Sequence, residues 1–275
     1  LDGGTAATGA FDYSTGNLTF TSGTHQASGA LTNLDAIGAS QSVILDGSSA
    51  AWSPSGSIDD GNVTLQNNAK LNVADYDATN LTFTNGDLTV TGSLTGLDSL
   101  SNTNQDIILD GGTWSPSGEL SLGSNTYFGD NVTLQNGGTL SLHDYAGRVG
   151  DGRLTGPGGG TLKVSGTITD TFFYLNDSDL TIDLTPGGQL VGPGSGYAYI
   201  YSLNLIINDG SLGTGAGEFY FSSNGNATSL TVKGTLSGTL EQAPNMTLVL
   251  DGGSHATTST NINALSSVVI QNGGS

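Results

Sequence analysis

The sequence lacks several features that whole classes of protein require. There is no cysteine among its 275 residues, so no disulfide framework can form. Only 5 residues are Lys or Arg, against 24 Asp or Glu, and the formal net charge is −19. Because nucleic-acid binding draws its affinity from basic contacts with phosphate, we expect no nucleic-acid partner. The apolar runs are far shorter than the ~20 residues of a membrane-spanning helix, so we expect no membrane insertion.

Helical periodicity is missing as well. No stretch of the sequence holds the period of an amphipathic helix, and its 44 glycines oppose helix formation throughout. Instead, apolar residues alternate with Thr, Ile or Gln, as in Val63-Thr-Leu65-Gln and Leu230-Thr-Val232-Lys. Such alternation turns one side of a β-strand inward and the other side outward. The sequence therefore predicts an all-β protein.

One strand-and-turn phrase recurs along the chain. Its clearest copies end in Asn-Gly or Asp-Gly, residue pairs that tolerate the positive φ of a sharp turn. Asn-Gly between two strands also fits an antiparallel hairpin, but the recurrence of the entire unit favours parallel stacking. Successive copies begin 18 to 26 residues apart, except for one step of 48 residues across a weakly marked copy. The copies begin at Leu18, Val43, Val63, Leu81, Ile107, Val132, Leu180, Leu205, Leu230, Leu248 and Val268.

This recurrence predicts a β-solenoid, a single-stranded parallel β-helix of about twelve rungs of 18–26 residues. Residues 1–275 are expected to form one domain. Because the chain opens at Leu1 rather than Met and its ends show no capping repeat, we expect a segment of a longer protein or a filament subunit that stacks on its neighbours. We also expect amides to hydrogen-bond from rung to rung in related turns. The residues expected there are Asn67, Asn85, Asn136 and Asn272.

A second, longer repeat spans three rungs. The segment Trp-Ser-Pro-Ser-Gly occurs at Trp52 and again at Trp114, and an Asn-Val-Thr-Leu-Gln strand follows each copy. The offset between equivalent residues is 62 to 69 residues. Duplication of a block of three rungs is the simplest explanation.

Two phrases carry a resemblance to known families. They are Val-Thr-Leu-Gln-Asn-Gly-Gly-Thr-Leu-Ser-Leu from Val132 and Leu-Thr-Val-Lys-Gly-Thr-Leu-Ser-Gly from Leu230. Both resemble the passenger domains of autotransporters and the filamentous-haemagglutinin-like exoproteins of bacteria, and the similarity in repeat style covers almost the entire chain. The resemblance implies a right-handed parallel β-helix, exported to the cell surface or the extracellular space, with a role in adhesion or biofilm building.

We therefore expect a secreted or cell-surface structural or adhesive solenoid, self-associating end to end or serving as an adhesin stalk, and not an enzyme. No Gly-x-Ser-x-Gly, phosphate-loop or His-Glu-x-x-His motif occurs. The alternative is a polysaccharide lyase or hydrolase, or a glycan-binding module, on a β-helix. Such enzymes place carboxylates across a groove. The acidic pairs available are Asp59 with Asp60, Asp75 with Asp77, and Asp177 with Asp179.

No cofactor other than calcium is expected. Calcium prefers six to eight oxygen ligands from carboxylates, Asn side chains and backbone carbonyls. The densest groups of such ligands are two short segments of the sequence. A calcium site is therefore predicted at Asp75, Asp77, Asn176, Asp177 and Asp179, with solvated turn acids as the alternative.

Aromatic residues suggest a surface for glycans. Trp52 and Trp114 occupy identical segments, and Tyr197, Tyr199 and Tyr201 alternate along one strand. Aromatic rings can stack on the flat faces of sugars. These five residues are the predicted glycan-binding residues. In the alternative interpretation, the tryptophans fold over a corner of a rung and the tyrosines only cover the wall of the coil.

Overall fold

The computed structural model of the protein describes a chain of short β-strands that pair only in parallel. The described residues are 1–15, 19–56, 58, 61–97, 100, 105–116, 120–121, 132–142, 145–146, 154–155, 159–169, 175–176, 180–191, 197–201, 204–207, 211–213, 218–222, 228–233, 235–237, 240–241, 246–256 and 265–275. Within them there is no α-helix, and the one helical element is a 3₁₀ turn at Ala78–Asn80. None of the described helical segments is long and apolar enough to cross a membrane.

The strands of the described residues stack into six sheets. Sheet 1 contains Thr5–Thr8, Gly23–Ala27, Gln41–Asp46, Asn62–Gln66 and Leu81–Phe83. Sheet 2 contains Phe11–Asp12, Ala30–Thr32, Ala51–Trp52, Ala69–Val73, Gly86–Val90, Gln105–Asp110, Val132–Gln135 and Leu154–Thr155. Sheet 3 contains Tyr76–Asp77, Ser93–Thr95, Thr113–Trp114, Thr139–Leu142, Gly160–Val164, Leu180–Leu184, Asn204–Ile207, Thr228–Val232, Met246–Asp251 and Leu265–Gln271. Sheet 4 contains Leu120–Ser121, Tyr145–Ala146, Thr167–Thr169, Gln189–Val191 and Ser211–Gly213. Sheet 5 contains Leu175–Asn176, Tyr197–Tyr201, Glu218–Ser222 and Leu240–Glu241, and sheet 6 contains Thr235–Ser237 and Ser254–Ala256.

This arrangement is a β-solenoid, as the repeat predicted. Strands that are adjacent in a sheet are separated in sequence by strands of the other sheets, so the chain coils around a common interior. The described turns of the coil are held together by backbone hydrogen bonds and by columns of apolar side chains. One interior column consists of Leu71, Leu88, Ile107 and Val132, all at 0% exposure.

The interior columns stabilise the fold far more than the surface charges do. Each fully buried Leu, Ile or Val contributes roughly 1.5–3 kcal/mol, and the described core contains eighteen of them at 0% exposure. The ion pair between Lys70 and Asp87 has an N–O distance of 3.4 Å and lies on the half-exposed surface. Surface pairs of this kind contribute only about 0–1 kcal/mol. The alternating apolar pattern is therefore what maintains the coil.

The recurrent phrase does not form one stack, which corrects the simplest prediction from its spacing. Ile107 pairs with Leu88, in the second strand of the preceding coil, rather than with Leu81 at the start of the preceding phrase. Further along, Ile182 pairs with Leu162 in sheet 3. The shift is possible because Leu88-Thr-Val90 has the same alternation as a phrase and can bury the same side.

The duplicated block of three rungs is shifted in the same way. Its first copy has Asp46 in sheet 1 and Trp52 in sheet 2, whereas the second copy has Asp110 in sheet 2 and Trp114 in sheet 3. Equivalent residues therefore lie one sheet further around the coil. The local environment is nevertheless the same, because each strand pairs in parallel with a strand from the coil before it.

The turns after the strands are joined by Asn–Asp hydrogen bonds instead of the predicted ladder of amides. Asn67 donates from Nδ2 to Oδ1 of Asp46 at 2.7 Å, and Asn136 donates to Asp110 at 2.5 Å. Both Asn residues have positive φ, 56° for Asn67 and 50° for Asn136. The bond to Asn67 is the main reason why the pKa of Asp46 lies below its ordinary value. Asn272 with Asp251 and Asn33 with Asp12 form the same pair.

Asn85 departs from this arrangement. Its Oδ1 accepts a hydrogen bond from the backbone N–H of Asn68 at 3.1 Å. The positive φ of this turn, 136°, belongs to the following residue, Gly86. The amides of the predicted set therefore do not bond to one another, because a carboxylate one coil away is the stronger acceptor for most of them.

Glycine is required where the coils approach each other most closely. Gly137 has φ of 82° and open space at the position of a Cβ, whereas a Cβ at Gly138 would collide with the carbonyl oxygen of Leu109 in the preceding coil. The two neighbouring glycines therefore serve different purposes, one conformational and one steric.

We expect Gly138→Ala to destabilise the protein more than Gly137→Ala. The first change forces backbone against backbone and should cost about 3 kcal/mol, the upper part of the range for overpacking. The second requires only a positive φ at alanine and should cost about 1 kcal/mol. Hydrogen exchange of the amides in Thr139–Leu142 measures both values locally. Equal losses of protection would contradict the steric interpretation.

Candidate functional site

The two tryptophans lie inside the coil. Trp52 and Trp114 are each 1% exposed. The indole Nε1 of Trp52 donates to the carbonyl oxygen of Leu34 at 2.7 Å, and that of Trp114 donates to Leu97 at 2.9 Å. Both rings thus fill the interior and satisfy a backbone carbonyl of the coil before them.

This burial corrects the glycan-binding prediction for Trp52 and Trp114. A sugar needs an exposed ring face on which to stack, and neither indole offers one. Their identical sequence context reflects a repeated structural role.

Two glutamines have a related structural role that sequence reasoning missed. Gln105 is 4% exposed and donates from Nε2 to the carbonyl oxygen of Phe83. Gln41, at the equivalent position of the first block, donates to the carbonyl oxygen of Phe20 at 2.6 Å. The available signal was that a Gln stands two residues before the apolar run in both segments of the Ile-Leu-Asp-Gly type. These amides secure one coil to the previous one.

The first part of the predicted calcium site already uses its carboxylates in hydrogen bonds. Oδ1 of Asp75 accepts from the backbone N–H of Ser93 in the next coil at 2.7 Å. Oδ1 of Asp77 accepts from Oγ1 of Thr79 at 2.6 Å and from its N–H at 3.1 Å, which caps the 3₁₀ turn. These bonds, led by the one from the Thr79 hydroxyl, lower the pKa of Asp77.

Tyr76 lies between these two acids and points the other way, into the core. It is 4% exposed, and its hydroxyl makes no hydrogen bond with the described residues. Burial raises the pKa of Tyr76, with a further contribution from the charge of Asp77. The two carboxylates therefore lie on the exposed side of a strand whose other side is apolar.

The second part of the predicted calcium site is described only in its backbone. Asn176 closes the strand Leu175–Asn176, while Asp177 and Asp179 lie outside the described residues. Among the described residues, no group of three or more His, Cys, Asp or Glu side chains gathers around a common point. Calcium binding at these positions stays a prediction.

The predicted tyrosines lie in a strand that pairs on both sides. Tyr197–Tyr201 pairs with Glu218–Ser222, which places Tyr199 beside Tyr220, and with Leu175–Asn176, which places Tyr201 beside Asn176. The parallel register therefore brings a predicted glycan residue next to a predicted calcium residue. Glycan binding by Tyr197, Tyr199 and Tyr201 stays a prediction.

The strand Leu265–Gln271 carries the exposed large apolar side chains of the described residues. Ile270 is 61% exposed and Val269 is 41% exposed. Ile270 pairs with Leu250, which is 5% exposed and in turn pairs with the buried Val232. Ile270 thus continues an interior column in the outermost of the strands described in sheet 3.

Comparison with known proteins adds no relative. No protein-family model, no curated protein and no solved structure matches the chain. The candidate sites therefore depend on the geometry of this molecule alone.

We expect the intrinsic fluorescence to report two buried indoles, because Trp52 and Trp114 are the only tryptophans of the chain. Emission should be blue-shifted and resist quenching by acrylamide, and unfolding in guanidinium should abolish both properties. Soluble glycans should leave the spectrum unchanged. A folded sample that is quenched as efficiently as free tryptophan would contradict the buried placement.

Proposed function

We propose that the chain is a right-handed solenoid of about twelve rungs that serves as a structural or adhesive element on a cell surface or in the extracellular space. The uninterrupted parallel stacking of ten strands in sheet 3, with apolar columns beneath it, is the observation that carries this proposal. In a long regular stack, every coil packs against its neighbours and contributes to one continuous core. The length of the stack therefore separates its two ends in space. Such a body suits a stalk or a fibre.

The charge distribution supports the same proposal. With a formal net charge of −19 and only 11% charged residues, the molecule carries acidic side chains with few basic ones to balance them. Net charge of one sign keeps long bodies from associating side by side. Lateral repulsion combined with an apolar end favours association along the axis.

The exposed column at Ile270 supplies the contact for association along the axis. A strand beside Leu265–Gln271 from another copy would cover Ile270 and pair with the backbone groups on that edge of sheet 3. The occupant proposed is a second copy of this chain. Exposed apolar side chains on a strand edge are otherwise a liability for aggregation, which supports a partner at this edge.

A glycan-binding module is the second candidate function, and the register of sheet 5 favours it. Along these paired strands, every second position carries an apolar residue, and Ile200 beside Phe221 is one such pair. The positions between them carry tyrosines beside polar residues. Tyr199 stands beside Tyr220, and Tyr201 stands beside Asn176. A row of tyrosines with acidic and amide neighbours has the composition of a sugar-binding face, and calcium ligation at Asn176, Asp177 and Asp179 would lie beside it.

We expect the purified chain to form rods longer than a single solenoid as its concentration rises, and Ile270→Lys to abolish them. A charge at position 270 would have to be buried against an incoming apolar strand, which is unfavourable, and the contact would lose the apolar surface of Ile270. Sedimentation velocity and negative-stain electron microscopy measure the effect. Gln271→Lys adds the same charge on the neighbouring exposed residue and is the matched control. A wild-type chain that remains single at high concentration would overturn the assembly proposal.

We expect any glycan binding to depend on the ring at position 199. Tyr199→Ala should reduce binding on a glycan array by at least about tenfold, since stacking of an aromatic ring contributes on the order of 0.5–1.5 kcal/mol beyond the area it buries. Tyr199→Phe keeps the ring and should retain most of the affinity. Equal binding by the wild type and the alanine variant would exclude a stacking role for this residue.

A further inference from the structure

One interior column of sheet 1 contains a titratable side chain. His25 lies in the strand Gly23–Ala27 and pairs with Ala6 on one side and Val43 on the other. The next residue of the column is Val63, so His25 occupies a position that is otherwise apolar. Its exposure is 0%. Because a buried polar group must be compensated, the partners of its ring determine what this position can do.

Both ring nitrogens are engaged by hydroxyl groups. Nε2 of His25 lies 2.8 Å from Oγ1 of Thr8, and Nδ1 is hydrogen-bonded to the hydroxyl of Tyr13. The Thr8 hydroxyl donates to the carbonyl oxygen of Gly9 at 3.1 Å. A hydroxyl has one proton to donate, so Thr8 accepts from Nε2–H and Tyr13 donates to Nδ1. The network thus assigns a neutral imidazole that is protonated on Nε2.

The rest of the surroundings is aromatic. The ring of Phe11 stands edge-on to His25 at a centroid distance of 5.4 Å, and that of Phe20 does so at 6.3 Å. Tyr13 lies at 5.6 Å and packs edge-on against Phe11 at 4.9 Å. Rings in this arrangement exclude water from the imidazole. A charge on His25 would be poorly solvated here.

The charged groups of the neighbouring segments bond elsewhere. The carboxylate of Asp12 accepts from Ser14 and Asn33, and that of Asp46 accepts from Gln26 and Asn67.

The carboxylate of Asp2 accepts from the Ser22 hydroxyl. The other titratable group in contact with His25 is Tyr13, and burial raises its pKa to about 12, so it stays neutral.

We propose that His25 is an acid-sensitive latch that holds the segment of residues 1–32 onto the rest of the solenoid. Protonation at Nδ1 places a proton where Tyr13 now donates, so the Tyr13 hydroxyl must turn away and its hydrogen bond to the ring is reversed or lost. The resulting imidazolium is enclosed by Phe11 and Phe20 without a carboxylate partner. Opening the segment solvates the cation and uncovers the edge of the strand Gln41–Asp46.

The direction of the pH effect follows from the burial of the ring, which lowers the pKa of His25 from its ordinary value of 6.5. The opened state then binds the proton more readily than the closed state does. The latch is fully stabilising above pH 6.5, and its contribution is lost as the pH falls through 6.5 toward the lowered pKa.

Hydrogen exchange of the full chain at pH 7.5 and pH 5, corrected for intrinsic exchange rates, tests this proposal. The amides of Thr5–Thr8 and Gly23–Ala27 should lose protection on the order of tenfold at pH 5. The loss of protection cannot exceed about 30-fold, because pH 5 lies 1.5 units below the ordinary pKa of histidine. Amides of Gly160–Val164 in sheet 3 should keep their protection and report that the rest of the rod is closed.

Two variants separate the latch from a general effect of acid. His25→Gln keeps a polar side chain but cannot titrate, so its protection should be equal at the two pH values. His255→Gln, in the strand Ser254–Ala256, removes a different histidine and should lose protection at pH 5 as the wild type does. Equal loss in His25→Gln and in the wild type would overturn the proposal.

A measurement on the unmodified chain covers the case in which His25→Gln does not fold. In a titration of ¹⁵N-labelled histidine side chains followed by nuclear magnetic resonance, the imidazole of His25 should titrate below its ordinary pKa of 6.5. Its transition should coincide with the loss of protection in Gly23–Ala27. Protonation of all three histidines with undiminished protection of this strand would contradict the latch.

Discussion

The close parallel stacking of successive coils is the constraint on which the rest of this structure depends. Each strand must bond to the coil before and the coil after it at a spacing of about 4.8 Å. At that spacing nothing larger than hydrogen fits between the turn at Gly138 and the carbonyl of Leu109. Each inward side chain must also pack against the inward side chains of the coils before and after it, so the columns are built mainly from Leu, Ile and Val. The abundance of glycine and the strict alternation of apolar residues both follow from this single requirement.

Several described polar groups of the interior hold one coil to its neighbour, although the hydroxyl of Tyr76 does not. The indole of Trp52 and the amide of Gln105 each donate to a backbone carbonyl of the preceding coil. His25 belongs to the same class, but its hydroxyl partners satisfy it only in the neutral form. Outside the coil, Asn67 and Asp46 perform the corresponding task between successive turns. Satisfied cross-coil hydrogen bonds therefore fix the register of strands whose backbone pattern alone would allow slippage.

The proposed functions arise from two places where this regularity is incomplete. In the strand Leu265–Gln271 the side chain of Ile270 is exposed, and the proposed contact between copies lies there. In sheet 5 the polar set of paired positions carries tyrosines, an arrangement that includes Tyr199 beside Tyr220. An end contact and a wall contact do not compete for the same residues. A stalk that assembles along its axis can therefore also present a glycan-binding wall.

The sequence by itself determined the all-β character, the parallel coil and the inward positions, because the alternation of apolar residues and the recurrence of turns are local properties of the chain. It could not determine which strand each phrase stacks on: Ile107 can pair equally well with either of two strands that share its alternation, and only packing around the interior places it beside Leu88. Nor could it decide which side of the wall an aromatic residue occupies. Trp52 and Trp114 are inside because each indole fills the interior and donates to a backbone carbonyl of the coil before it, and that carbonyl comes within reach only once the coils are stacked.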